Sequence, residues 1–342
     1  MAQVSGFRAA AASAVVALAV VSAPLACSTG RQSAPAPVYY PAPYPGYAGA
    51  PGYAPPPAGA PQPGAPVVGP PAAPVAYDPI NAIDIGYLRN QAQTTMAELV
   101  NNLPALQQSR VRGIPLVPDD EVGEVNAFAA CTQGGKSIMA ISDGLLDVAA
   151  HLAQARAIDE TFGLRKVDEY VAFVARNQRP KSPVVRPPLG FFDPGQTMDG
   201  RKVQRQHQLL EETLGFVLGH ELAHHYLGHL PCTAGNVTAS EIGRVLTDVV
   251  PAFNQQFELA ADMAGINNVL TTGARRAGYH YTEGGALLTM QFFGGVDQLS
   301  PIDILFGFEL THPPAGIRTP VIQQTANAFR ATGGQGLPIL GF

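Results

Sequence analysis

The sequence predicts a mainly α fold with a small β-sheet or hairpin, an α+β domain. Two observations carry that class. Long stretches of the chain space their apolar residues at helical intervals, and one pair of short apolar runs flanks a polar, glycine-bearing turn. A third observation sets the domain's start: a Pro-rich stretch before it has no means of folding.

In chain order, "INAIDIGYLRNQAQTTMAELVNNL" reads as an amphipathic helix. "EVNAFAACTQGGKSIMAIS" reads as a hairpin of two short strands around "TQGGK". "DGLLDVAAHLAQARAIDETFG" and "VDEYVAFVARNQ" return to helical spacing, and the Pro/Gly-rich "RPKSPVVRPPLGFFDPGQ" makes a long surface loop. Helices then dominate, around residues 203–230, 239–270, 283–294 and 316–331. Residues 80–342 are ample for one buried core.

The N-terminus has the layout of an export signal. Arg8 supplies a positive charge, and "AAAASAVVALAVV" (Ala9–Val21) is an apolar core too short to span a membrane comfortably. It ends in "SAPLACS", which resembles a bacterial lipoprotein signal whose cysteine, here Cys27, is acylated; Pro24 stands where leucine is usual. An ordinary cleaved signal peptide is the other reading, and both place the protein in the cell envelope, periplasmic or anchored to a membrane by lipid. Residues 28–79 then form a tether. No charged residue occurs from Gln32 to Tyr77, and 16 of the 32 prolines fall between Pro35 and Pro79. Proline lacks an amide donor and fixes φ, so the segment is extended, reaching at most ~140 Å at ~3.1 Å per residue.

Composition excludes other classes. The net charge of −5 and the 14% content of charged residues leave no basic footprint for nucleic acid. Three cysteines are too few for a disulfide-built scaffold, so a hydrophobic core must carry stability.

The chemistry concentrates in "GHELAHHYLGH" (Gly219–His229). At about 100° per residue, His220 and His224 project from one helix face and can share an ion. His225 and His229 point about 140° and 180° away from His220, so packing roles are expected for them. Glu221 stands beside the metal-facing edge, the general-base position of an H-E-x-x-H motif. Imidazole with carboxylate and an open position for water suits zinc, one ion per chain.

A third ligand must come from elsewhere. The metzincin pattern wants glycine and histidine seven and ten positions after the first histidine; Leu227 and Leu230 stand there instead. Glu241 and Glu258 are the candidates. Glu258 and Asp262 share a helix face at i, i+4 among Ala260, Ala261, Ala264 and Gly265, small residues that permit close helix packing. A carboxylate at Asp262 can hold the outer N–H of a ligating imidazole, which favours Glu258. Glu241 has no such company and reads as an exposed helix charge.

At this point the chain resembles the zinc metallopeptidases of the HtpX and CAAX prenyl endopeptidase type, over roughly Ile80 to Arg318. The resemblance rests on "VNAFA" before "GGK", "SIMAISDGLLD", "GHELAHHYLGH", "FELAADMAGINNVLTTGARRAGY" and "THPPAGIR". It implies a zincin-like domain with His220, His224 and Glu258 as ligands, Glu221 as catalytic base and Asp262 behind the site. It also places His312 and Arg318 near the active centre. Transmembrane helices of the HtpX branch are missing, so the chain looks like an exported soluble member.

Water activation follows as the expected mechanism, with zinc lowering the pKa of its water and Glu221 accepting the proton. His312 is the candidate donor to the oxyanion, and Arg318 an anchor for structure or for a substrate carbonyl. Substrate is expected to add as a strand to an edge formed by Ser137, Ile138, Met139, Ala140, Ile141 and Ser142, a sequence-tolerant mode suited to unfolded or misassembled envelope proteins. A tethered metal-containing binding or assembly factor with little turnover is the rival function. The resemblance places the hairpin against the metal helix, which makes a Cys131–Cys232 disulfide sterically plausible once Cys27 is acylated or removed.

Overall fold

The structure, a computed structural model, describes residues 75–247, 254–300 and 305–334. The signal segment, Cys27 and the tether up to residue 74 lie outside the described residues. Among the described residues no helix is long and apolar enough to cross a membrane.

Folded structure begins within the stretch that the sequence assigns to the tether. Val75 N donates to the Met198 carbonyl at 3.0 Å. Asp78 is buried, and its carboxylate accepts from Ile80 N and Asn81 N at 3.0 Å each and from Gln206 Nε2 at 2.6 Å. His207 Nε2 lies 2.6 Å from its other oxygen. A carboxylate with this many partners pins the entering chain to the side of the domain.

Helix α1 (Ile85–Asn102) starts where the Asp84 side chain accepts from Tyr87 N, and α2 (Ala105–Val111) follows it. Three strands come next: β1 (Leu116–Asp119), β2 (Ala127–Cys131) and β3 (Ser137–Ser142). Ser142 then caps α3 (Asp143–Phe162), which ends at Gly163 with φ +69°. Helix α4 (Lys166–Asn177) and the short α5 (Pro194–Thr197) precede the long α6 (Gly200–Tyr226). The remaining helices are α7 (Ala239–Thr247), α8 (Gln255–Arg275), α9 (Gly284–Leu299), α10 (Gly307–Thr311) and α11 (Ala315–Ala331).

The sheet runs β1-β3-β2, with β1 parallel and β2 antiparallel to β3. This overturns one expectation: Ser137–Ser142 is the central strand, hydrogen-bonded on both sides, and cannot accept a substrate strand. The four-residue β1, absent from the expected hairpin, takes up that side. β3 is buried on both faces because its side chains alternate between two cores. Met139 and Ile141 enter the main core, whereas Ile138 and Ala140 pack with Phe128 and with Val245 of α7.

Helix α6 is the axis of the domain, packed against α1, α3, α8 and α9. That environment explains why its second half carries apolar residues on several sides, with Leu214, Phe216, Leu218 and Leu222 buried. Its crossing with α8 is close because Gly219 and Gly265 meet there; a Cβ on Gly265 would stand 2.9 Å from His220 N. The helix expected over 239–270 is two helices. Asn254 starts α8 by accepting from Phe257 N.

Beyond α6 the chain returns to the sheet. The structure joins Cys131 to Cys232 as a disulfide, with Cα atoms 5.5 Å apart, and Ser137 N donates to the Thr233 carbonyl at 2.9 Å. This pairing fastens the end of β2 to the segment leaving α6.

Candidate metal centre

His220 and His224 stand one turn apart on α6, and Glu258 faces them from the first turn of α8. His220 Nε2 lies 3.2 Å from His224 Nε2; Glu258 Oε2 is 3.4 Å from the first and Oε1 3.4 Å from the second. A tetrahedral ion with bonds of about 2.05 Å needs donor atoms about 3.3 Å apart, so the triangle has the dimensions of a zinc site. The donor set also calls for a cation. Both Glu258 oxygens are buried without a hydrogen-bond partner, a costly state for a carboxylate unless a cation sits against it.

Outer contacts orient the triangle. His220 Nδ1 lies 2.9 Å from Asp262 Oδ1. Arg318 of α11 holds Asp262 through two hydrogen bonds, Nε to Oδ2 at 2.9 Å and Nη2 to Oδ1 at 2.7 Å. Burial favours the neutral acid at Asp262, but Arg318 and then His220 outweigh it and drive its pKa well below the usual range. Burial likewise opposes a charge on His220, yet the hydrogen bond to Asp262 and the nearby Glu258 carboxylate lift its pKa to about 9. A proton and a metal cation thus compete for one negatively charged pocket.

Glu221 follows His220 on α6 and its side chain is 4% exposed. Burial pushes its pKa up to about 8, against the pull of His220, and neighbouring Glu258 adds to the rise. The amide of Ala129 on β2, the strand at the edge of the sheet, lies near enough to its carboxylate to oppose that rise. His312, at the end of α10, sends Nε2 to 3.4 Å from Glu221 Oε1 and 3.8 Å from Glu258 Oε2. Its ring stacks on Phe308 at 4.3 Å, and its Nδ1 lies 2.8 Å from Thr311 Oγ1. Burial, with Arg318 and His220 nearby, holds His312 neutral.

The sequence therefore brings together His220, Glu221, His224, Glu258, Asp262, His312 and Arg318, as expected. Glu241 is elsewhere: it accepts from Thr238 N at 2.9 Å and caps α7 in a T-x-x-E box. His225 packs as expected, its Nε2 3.1 Å from the Ile138 carbonyl. His229 does more than pack, because its Nδ1 lies 3.0 Å from His224 Nδ1. The Ala129 amide was also invisible in the sequence, since no side chain announces it.

An H-E-x-x-H helix crossed by an E-x-x-x-D helix, beside a small sheet, defines a zincin-like metallopeptidase. The chain belongs to peptidase family M48, which it matches over residues 90–326, and is a zinc metalloendopeptidase by that membership. Comparison with curated proteins and with solved structures gives no match.

Proposed function

We propose that this metalloendopeptidase works in the cell envelope on unfolded or misassembled polypeptides, with Glu221 as general base. One observation carries the assignment: Glu221 adjoins the His220–His224–Glu258 triangle and stands beside the Ala129 amide at the sheet edge. Base, metal ligands and a strand able to pair with an extended chain thus meet at one point. When bound, zinc supplies a Lewis acid that acidifies water and polarises a peptide carbonyl.

The remaining work belongs to the chain. Glu221 takes the proton of the attacking water and passes it to the leaving amine. Asp262 keeps the His220 hydrogen on Nδ1, so Nε2 faces the triangle with its lone pair. His312 can donate to a developing oxyanion in the tautomer with its hydrogen on Nε2, in which Nδ1 accepts from the Thr311 hydroxyl. The Phe308 carbonyl, 3.2 Å from Nδ1, favours the other tautomer in the resting site. Arg318 acts as an anchor for Asp262. An extended substrate adds to β2 rather than to β3, along the edge that brings the Ala129 amide beside Glu221. Such main-chain recognition tolerates many sequences. Export and a lipid anchor at Cys27 rest on the N-terminal sequence.

The second reading, a tethered binding factor with little turnover, draws on burial. His220, Glu221, His224 and Glu258 are 1%, 3%, 0% and 0% exposed, so substrate enters only after a neighbouring segment moves. Zinc content with casein cleavage, for wild type and Glu221→Gln, separates the readings. The peptidase reading expects stoichiometric zinc in both proteins and cleavage by wild type alone. Zinc-loaded wild type inert towards unfolded substrates favours the binding factor.

A further inference from the structure

Helix α6 ends in a backbone motif that folds the chain onto one of its own proposed ligands. Leu227 N donates to the Ala223 carbonyl, Gly228 N to His225 O at 3.1 Å, and His229 N to His224 O at 3.0 Å. Gly228 has φ +80°, the left-handed conformation that reverses a chain at a helix terminus. This is a Schellman cap, whose second residue past the helix end commonly touches the side chain five positions earlier. Here those two residues are His229 and His224. An apolar pair is usual at such a contact; this chain has two imidazoles with Nδ1 atoms 3.0 Å apart.

The ring of His229 is held from the other side. It stacks on Phe257 with centroids 4.3 Å apart and planes 7° from parallel. Phe257 immediately precedes Glu258 on α8. His229 is thus wedged between the end of the helix that carries two proposed ligands and the start of the helix that carries the third.

We infer that His229 is a positioning residue that fixes the tautomer and ring orientation of His224, as Asp262 does for His220. His224 Nε2 faces Glu258 and His220, so its lone pair must lie there and its hydrogen must lie on Nδ1. The Nδ1–H donates to His229 Nδ1, whose own hydrogen then lies on Nε2. The two histidine ligands accordingly have unlike supports, a carboxylate for His220 and a neutral imidazole for His224. A charged partner behind both would add a further carboxylate to a pocket that already holds Glu221, Glu258 and Asp262. A neutral acceptor orients the ring without that cost.

The inference rests on His224 being a zinc ligand, so His224→Ala is the reference variant. Zinc affinity is measured by chelator competition, for wild type, His229→Leu and His229→Asn. Leucine keeps an apolar contact at the helix cap and removes the acceptor; the Asn side-chain oxygen stands near the position of Nδ1 and keeps it. His229→Leu is expected to weaken zinc binding about 10–100-fold, and His229→Asn to recover most of the loss. Equal affinities for the two variants, or wild-type affinity in His229→Leu, overturn the inference. Should His229→Leu not fold, His229→Gln, with its acceptor one bond further out, is compared with His229→Asn, and equal affinities again refute it. Zinc retained in His224→Ala removes the ligand assignment itself. Zinc lost there but unchanged in His229→Leu removes only the role of His229.

Discussion

Arg318 grips both carboxylate oxygens of Asp262 from a helix 56 residues further along the chain, at 2.9 and 2.7 Å. Both side chains are buried, and Asp262 in turn touches His220, so the C-terminal helix is wired to a proposed metal ligand. Removing either partner therefore has different consequences. Arg318→Ala strands a buried carboxylate and should cost about 3–5 kcal/mol of stability, read from urea unfolding of zinc-stripped protein. Asp262→Ala should weaken zinc binding about 10–100-fold without removing a ligand. The double variant should lose less stability than the two single losses together, because no charge is left uncompensated. Additive losses would show that the pair is not coupled.

The third ligand is tested by contrast. Glu258→Ala should abolish stoichiometric zinc, whereas Glu241→Ala, which touches only the cap of α7 and Thr132, should leave zinc and cleavage unchanged. Elemental analysis of the purified variants decides this; full zinc in Glu258→Ala would sink the assignment.

Lys202 offers a pH prediction away from the metal. It is 0% exposed, donates to Asn81 Oδ1 at 2.6 Å, and burial lowers its pKa to about 7 despite Asp78 nearby. Between pH 7 and 10 the unfolded chain binds this proton and the folded chain does not, so its contribution to stability rises with pH. From pH 7 to 9.5 wild type should gain on the order of 3 kcal/mol relative to Lys202→Met. Urea midpoints at the two pH values measure it, and an unchanged difference between the proteins contradicts a depressed lysine.

Cys131 and Cys232 close a loop with a sequence separation of 101. Intact-mass analysis of protein from its native compartment should show no label on either thiol until reductant is added. Replacing both by serine should lower stability by about 2–5 kcal/mol. Two labelled thiols without reductant would contradict the bridge.

Truncation tests the tether expected from the Pro-rich sequence. Removing residues 28–74 should leave zinc binding and peptide hydrolysis in solution intact. Extending the cut through Asp78 should not, because Gln206 and His207 then lose their buried partner.

Local signals carried most of the site. The i, i+4 histidines, the adjacent glutamate and the Glu-x-x-x-Asp spacing each describe one helix face, which periodicity reports directly. What escaped depends on contacts between distant segments. β1 is four residues long and contains Pro118, so nothing in its composition marks it as a partner for β3. Without β1, Ser137–Ser142 looks like an edge; with it, that strand is central. Asp78 sits among prolines and alanines, and only its partners on α6 disclose that it is structural. His229 was placed by an ideal helix continued past Tyr226. Gly228 breaks that assumption, and a glycine followed by a histidine at a helix end was the available clue.

Gly219 and Gly265 have a consequence for the metal itself. Because α6 and α8 touch backbone to backbone there, the span between His220 and Glu258 is set without any compressible side chain in between. The aperture of the site is gauged by two residues that possess no functional group. A single methyl at Gly265 would act as a shim between the helices, prising Glu258 away from the histidines and spoiling the fit to an ion as small as zinc while every ligand remained in the sequence. Inspection of the ligands alone would pass such a chain as intact, although its bore had changed.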